Sequence, residues 1–154
     1  MSATETPVVL VIGVGNPLRG DDGAGAAVIQ RLQNRLPLSV KLLQLDSDGV
    51  SLMEAWREFE RVILVDAACS GAAPGAIHRF NATQSELPRG LFHYSSHLFG
   101  VAEAVELARQ LGRLPERLVV YGIERMEFAY GEGLSVVVAE AVERAAAAIA
   151  AELE

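Results

Sequence analysis

Two adjacent carboxylates, Asp21 and Asp22, stand in the glycine-rich stretch GVGNPLRGDDGAG (residues 13–25). An apolar run, Val8 to Ile12, precedes it, and a segment with helical spacing follows. A glycine turn between a buried strand and a helix commonly cradles phosphate. This one does not fit that use. Gly13 and Gly15 match the first two glycines of the dinucleotide fingerprint, but the third position falls on Leu18, and no lysine follows as in a phosphate loop. A helix start attracts anions through its free N–H groups and its dipole. Asp21 and Asp22 fill that place with the chain's own negative charge, so a phosphate is repelled. Two readings stay open. One aspartate caps the helix and the other is solvated, or one caps and the other points into the crevice above the sheet, where a carboxylate suits a cation or a water molecule.

A third carboxylate, Asp66, ends the apolar run RVILVD. In open α/β sheets ligands sit beyond the carboxyl ends of the strands, where strand order reverses. If the strands before Asp22 and Asp66 are neighbours, both acids face one crevice; otherwise Asp66 is a loop cap. Among the histidines, His78 alternates with Ile77 and Arg79 in an edge strand and is expected at the surface. His93 and His97 lie in FHYSSHLFG, where Ser95 or Ser96 can cap a helix that His97 opens. A lone histidine there has a structural explanation, but two nearby carboxylates make it a candidate ligand. Two oxygens and one imidazole nitrogen suit zinc or nickel, and three ligands leave open positions, unlike a closed structural site.

The elements that would position these groups follow from periodicity. Val8–Gly13, Val40–Leu45, Arg61–Asp66 and Leu118–Ile123 read as buried strands, and Ala76–Phe80 as a short edge strand. Helices are expected over about Asp22–Arg35, Ser51–Phe59, His97–Leu111 and from Leu134 onward. This alternation predicts a single α/β domain over residues 1–154, with a mostly parallel central sheet of about five strands and helices on both faces. Residues 1–6 are expected to be loose. The hydrophobic content of 51% supports a substantial core. A net charge of −7 argues against non-specific nucleic-acid binding. Cys69 is the only cysteine, which excludes an internal disulfide and a thiolate zinc cluster. The start MSATETPVV lacks the features of a signal peptide, and the uncharged run Val8–Leu18 is shorter than the roughly 20 residues of a membrane span. A cytoplasmic protein, acting as a monomer and without membrane attachment, is expected.

Three segments make the sequence resemble the hydrogenase maturation endopeptidases. GVGNPLRGDDGAG is similar to the family's opening G-x-G-N…D-[DE]-x-x-G signature. ILVDAACSGAAPG resembles its strand ending in aspartate with a downstream P-G, and YSSHLFGVAEAV its histidine opening a helix. The stretch GIE…GEGLS, Gly122 to Ser135, also fits. The resemblance implies an endopeptidase that removes the C-terminal extension from the large-subunit precursor of nickel–iron hydrogenase. It places the family's metal-binding and catalytic residues on Asp22, Asp66 and His97. It implies no tightly held cofactor: nickel arrives in the precursor, and its presence licenses cleavage. Two departures bear on substrate choice. LDSDGVSLMEAW carries D-S-D-G where the family's recognition turn is of the D-G-G-T type, and Arg125 stands where proline often follows G-I-E.

For cleavage, Ser95 and Ser96 are better explained as caps, and no evident base activates Cys69. Attack by water on the scissile carbonyl is expected instead, with the metal polarising the carbonyl or acidifying the water and Asp22 as general base. Two alternatives use the same features: a maturation chaperone that binds nickel and precursor without cutting, and a nucleotide-binding α/β module.

Overall fold

In the computed structural model, which describes residues 8–46, 48–88, 90–92, 99–126 and 133–154, the apolar runs become strands covered on both sides. They are β1 (Val9–Val14), β2 (Val40–Leu45), β3 (Arg61–Ala68), β4 (Ile77–Asn81) and β5 (Arg117–Glu124), in the order β2-β1-β3-β5-β4. Neighbours pair in parallel except β4, which runs antiparallel to β5 at the edge. A single 3-10 turn, Gly20–Gly23, leads into α1 (Ala24–Leu32). The other helices are α2 (Gly49–Trp56), α3 (Val101–Gln110) and α4 (Val136–Glu152). This is the single α/β domain that the alternating pattern predicts.

Side chains alternate across each strand, so the sheet divides two cores. Val9, Val11, Ile63, Val65, Tyr121 and Ile123 pack with α1 and α4. Leu10, Ile12, Val62, Leu64, Leu118 and Val120 pack with α2 and α3. Each such apolar side chain, fully buried, contributes about 1.5–3 kcal/mol before the entropy of ordering is subtracted. The far end of α4 is latched to three strands. Arg79 of β4 donates to the Glu152 carboxylate at 2.8 and 3.0 Å, the Tyr121 hydroxyl of β5 donates to the same group, and Arg61 of β3 donates to the Glu152 carbonyl at 3.2 Å. Burial and the bond to Glu152 push the Tyr121 hydroxyl up to about 12.

Several boundaries differ from expectation for local reasons. The first helix starts as a 3-10 turn and stops at Leu32, because Gln33 leaves the helical region at ψ 130° and Asn34 follows in the left-handed region at φ 63°. The expected helix from His97 instead begins at Val101, since Gly100 is extended (φ −105°, ψ −154°) and its N–H donates to Glu103 at 2.9 Å. Strand β3 does not stop at Asp66 but pairs with β5 as far as Ala68. The loose N-terminus expected over residues 1–6, the capping serines Ser95 and Ser96, and both His93 and His97 lie outside the described residues. Among the described residues, no helix is long and apolar enough to cross a membrane.

Candidate active site

The chain passes from β1 through α1 to β2 on one side, while β3 lies on the other side of β1. The order therefore reverses between β1 and β3, and the crevice beyond their carboxyl ends is the favoured place for a ligand. The last β1–β3 pair is Gly13–Val65, so Asp66 is the first residue at which β3 outruns β1. By strand alternation it lies on the face of Val62 and Leu64, toward α2 and α3. Asp66 is only 3% exposed, and its Oδ1 accepts the Ala67 N–H at 2.7 Å. Gly15 lies where the two acid-bearing segments meet. Its φ is +125°, and a Cβ there would stand 2.1 Å from the Asp22 carbonyl oxygen and 3.7 Å from Asp66 Oδ1. No side chain fits between them.

The two adjacent aspartates separate completely. Neither caps α1, whose N-cap is Gly23. Asp21, at 1% exposure, accepts the N–H groups of Met126 (3.0 Å) and Ser135 (2.8 Å) and the Ser135 hydroxyl. It thus ties the end of β5 to the start of α4. Asp22 points elsewhere. Its Oδ1 is buried and accepts no hydrogen bond from the described residues, and the Arg125 guanidinium stands 4.0 Å away. Burial pushes the Asp22 carboxyl above the ordinary carboxylate range; Arg125 and Arg19 pull the other way, and Asp21 adds to the rise. A buried carboxylate oxygen without a donor is costly, and this one is suited to a cation or a reacting water. The sequence alternative in which one acid caps and the other faces the crevice is closer to the structure, but the helix that Asp21 serves is α4.

Beside these acids, β5 delivers Glu124 and Arg125. The Arg125 N–H donates to the Ala68 carbonyl at 3.0 Å, and its Nη2 lies 4.0 Å from Cys69 Sγ. Glu124 is 3% exposed and receives Ser70 N–H (2.8 Å), Ser70 hydroxyl (2.7 Å) and Gly71 N–H (3.3 Å), with His78 Nε2 at 3.1 Å. His78 is therefore not a free surface residue as expected; its side chain is 22% exposed and held against Glu124. Burial works to raise the Glu124 pKa, but the Ser70, His78 and Gly71 bonds outweigh it and hold the carboxyl below its usual range. Because the folded value is the lower one, the stability it supplies is full above the ordinary glutamate pKa of about 4.3 and is lost as pH falls through the folded value. Glu124→Gln should lower unfolding stability at pH 7 by about 1.5–3 kcal/mol and shrink the gap between urea midpoints at pH 7 and pH 4.

The Asp22 main-chain carbonyl and the Asp66 carboxylate both lie close to Gly15, while the third predicted site residue, His97, lies outside the described residues. Among the described residues, no three His, Cys, Asp or Glu side chains gather to hold a metal. Asp48, in the D-S-D-G stretch, caps α2, accepting Val50 N–H at 3.0 Å and the Ser51 hydroxyl at 3.1 Å. Sequence reasoning missed Arg125 as a neighbour of Asp22. The strand-end argument used for Asp66 applies equally to the residue after G-I-E, since β5 lies next to β3.

Comparisons with known proteins bear on the family and the fold. The sequence model of the hydrogenase maturation protease family matches residues 26–152. The hydrogenase expression/formation protein HupD of Rhodobacter capsulatus is 30% identical over 99% of this chain and 74% of its own length. HupD of Thiocapsa roseopersicina is 33% identical over 79% of this chain, which spans only 56% of that protein. The solved structure of the hydrogenase maturating endopeptidase HybD of E. coli superposes with a TM-score of 0.78 at 27% identity, covering 94% of this chain and 91% of that one. By family match, by relatives and by fold, the chain belongs to the hydrogenase maturation proteases.

Proposed function

We propose that this protein is an endopeptidase that removes the C-terminal extension of a nickel–iron hydrogenase large-subunit precursor once nickel has been inserted. The observation that carries the reading is the division of labour at Asp21-Asp22. One acid is fully occupied in holding the fold, and its neighbour keeps a buried carboxylate oxygen with no hydrogen-bond donor among the described residues, on a segment whose main chain meets Gly15 where the Asp66 side chain also approaches. In this reading Asp22, Asp66 and His97 complete the coordination of the nickel that the precursor carries, and so dock its C-terminal segment. The chain keeps no cofactor of its own. Monomeric action in the cytoplasm belongs to the same proposal.

Cleavage then proceeds by attack of water on the scissile carbonyl. A carbon–oxygen bond forms, the carbon–nitrogen bond breaks, and the water's proton passes by way of a base to the departing amine. Burial makes the Asp22 carboxylate more basic than a solvated one, which suits it to accept that proton. The acids that disfavour phosphate at the turn also weigh against the nucleotide-binding alternative.

The deciding experiment is mass spectrometry of precursor incubated with the protein, in nickel-loaded and nickel-free forms. Loaded precursor is expected to lose one C-terminal peptide and nickel-free precursor to stay intact. A stable complex with loaded precursor and no mass loss would instead establish the non-cleaving chaperone. Equal cleavage of both forms would overturn nickel as the signal.

A further inference from the structure

Arg125 is the one cation that the fold brings within 4.0 Å of the orphaned Asp22 oxygen among the described residues. Its placement is built in. The backbone N–H is fixed to Ala68 at 3.0 Å, and the guanidinium reaches from Cys69 on the β3 side to Asp22 on the β1 side. Both partners are largely buried, with side chains 23% and 20% exposed, so solvent screens the pair incompletely. Arginine stays charged under all physiological conditions. Its contact with Asp22 is also long for a hydrogen-bonded pair, so the carboxylate feels the charge without being consumed by it.

We propose that Arg125 is a specificity-determining residue: a tethered counter-cation that makes the cleft discriminate by the net charge of the metal it meets. The inference rests on the preceding reading of Asp22 as a ligand. A free divalent ion approaching Asp22 must come close to a fixed positive charge and is repelled. A metal already held by anionic ligands of an incoming chain brings no net positive charge, and the guanidinium attracts those ligands. The isolated protein therefore holds free divalent ions weakly and accepts the same metal when it arrives chelated. Arg19 adds a weaker effect of the same sign, and Asp21 opposes it.

Two probes test this by calorimetry on the full chain at low ionic strength: nickel(II) alone, and nickel nitrilotriacetate, an anionic chelate with open positions. Arg125→Met is expected to tighten free nickel about tenfold, the effect of removing one nearby opposite charge from a carboxylate, and to weaken the chelate. Arg125→Lys should keep the wild-type order of affinities, because it keeps the charge. Arg125→Gln repeats the test should the methionine variant melt early. Asp22→Asn placed on Arg125→Met should erase the gain. Unchanged affinities in both neutral variants, with Asp22→Asn still weakening nickel, would overturn the role of Arg125 and leave the ligand reading intact. Nickel affinities that ignore Asp22→Asn in every background would overturn the ligand reading, and this inference with it.

Discussion

Asp22→Asn is expected to abolish processing of nickel-loaded precursor, by at least about 100-fold, while leaving the protein as stable as wild type or more so. The two halves of that result come from one environment. The Asp22 carboxyl is pushed above its ordinary range by burial, so the folded state holds its proton more tightly than the unfolded state does. Stability from this group is therefore lost as pH rises through the folded value, and at neutral pH the charged form is a burden. The amide removes the charge at nearly constant size and lifts that burden. It also removes the anion on which metal binding and proton acceptance both depend. Asp21→Asn should do the reverse. Asp21 receives two N–H groups and a hydroxyl while almost fully buried, and an amide nitrogen facing those donors leaves them unsatisfied, at about 1–3 kcal/mol each. Thermal melting and precursor cleavage, measured on both variants, should give opposite orders. Wild-type cleavage by Asp22→Asn would remove Asp22 from the site.

The largest stability loss is expected from Gly25→Ala. Helix propensity alone favours alanine by about 1 kcal/mol, so the sign of the effect is informative. A Cβ at this position would lie 2.4 Å from the Val65 carbonyl oxygen and 2.5 Å from that of Val14. Both atoms are strand backbone and cannot swing aside. Helix α1 must lift off the sheet, and overpacking of this kind costs 1–3 kcal/mol or more out of a total of about 5–15. The 3-10 turn is continuous with α1, so the shift also displaces Asp22. Urea unfolding should register a loss of more than about 3 kcal/mol, with nickel affinity reduced in the molecules that remain folded. Gly112→Ala is the control. That residue, unlike Gly25, sits at positive φ, +68°, but nothing lies within 4 Å of its would-be Cβ, and a loss of about 1–2 kcal/mol is expected.

The sheet was legible because a strand buried on both faces has to be apolar throughout, and Val9–Val14, Arg61–Val65 and Leu118–Ile123 are little else. The helix faces were legible from spacing, as with Val28, Ile29 and Leu32 on α1. The place of the crevice followed from the rule that strand order reverses beside β1, which made neighbours of the strands that precede Asp22 and carry Asp66. What could not be read is which acid does what. Periodicity gives identical weight to Asp21 and Asp22, and the distinction depends on Met126 and Ser135, more than a hundred residues away in the chain. The sequence pattern puts His78 at the surface for the same reason. Its partner, Glu124, comes from a strand antiparallel to its own, and pairing register is a tertiary property. The position of Arg125 beside Asp22 likewise arises only when β5 is set next to β3.

The adjacency of Asp21 and Asp22 also governs where the chain can change length. Successive side chains in a 3-10 turn diverge by about 120°, so one acid faces α4 and the next the crevice only while the turn keeps its phase. The stretch before it is knit to itself: Asn16 accepts the N–H of Leu18 at 2.9 Å and of Arg19 at 3.1 Å, and Arg19 accepts that of Asp22 at 3.2 Å. Surface connections ordinarily tolerate insertions and deletions. Between Gly15 and Asp21 a single residue gained or lost would rotate the pair out of register, offering the crevice a side chain of the wrong kind and α4 none that reaches it. Length variation in this fold therefore belongs in connections such as the one around Gly112, and a peptide inserted there should leave the cleft intact where the same insertion after Asn16 would not.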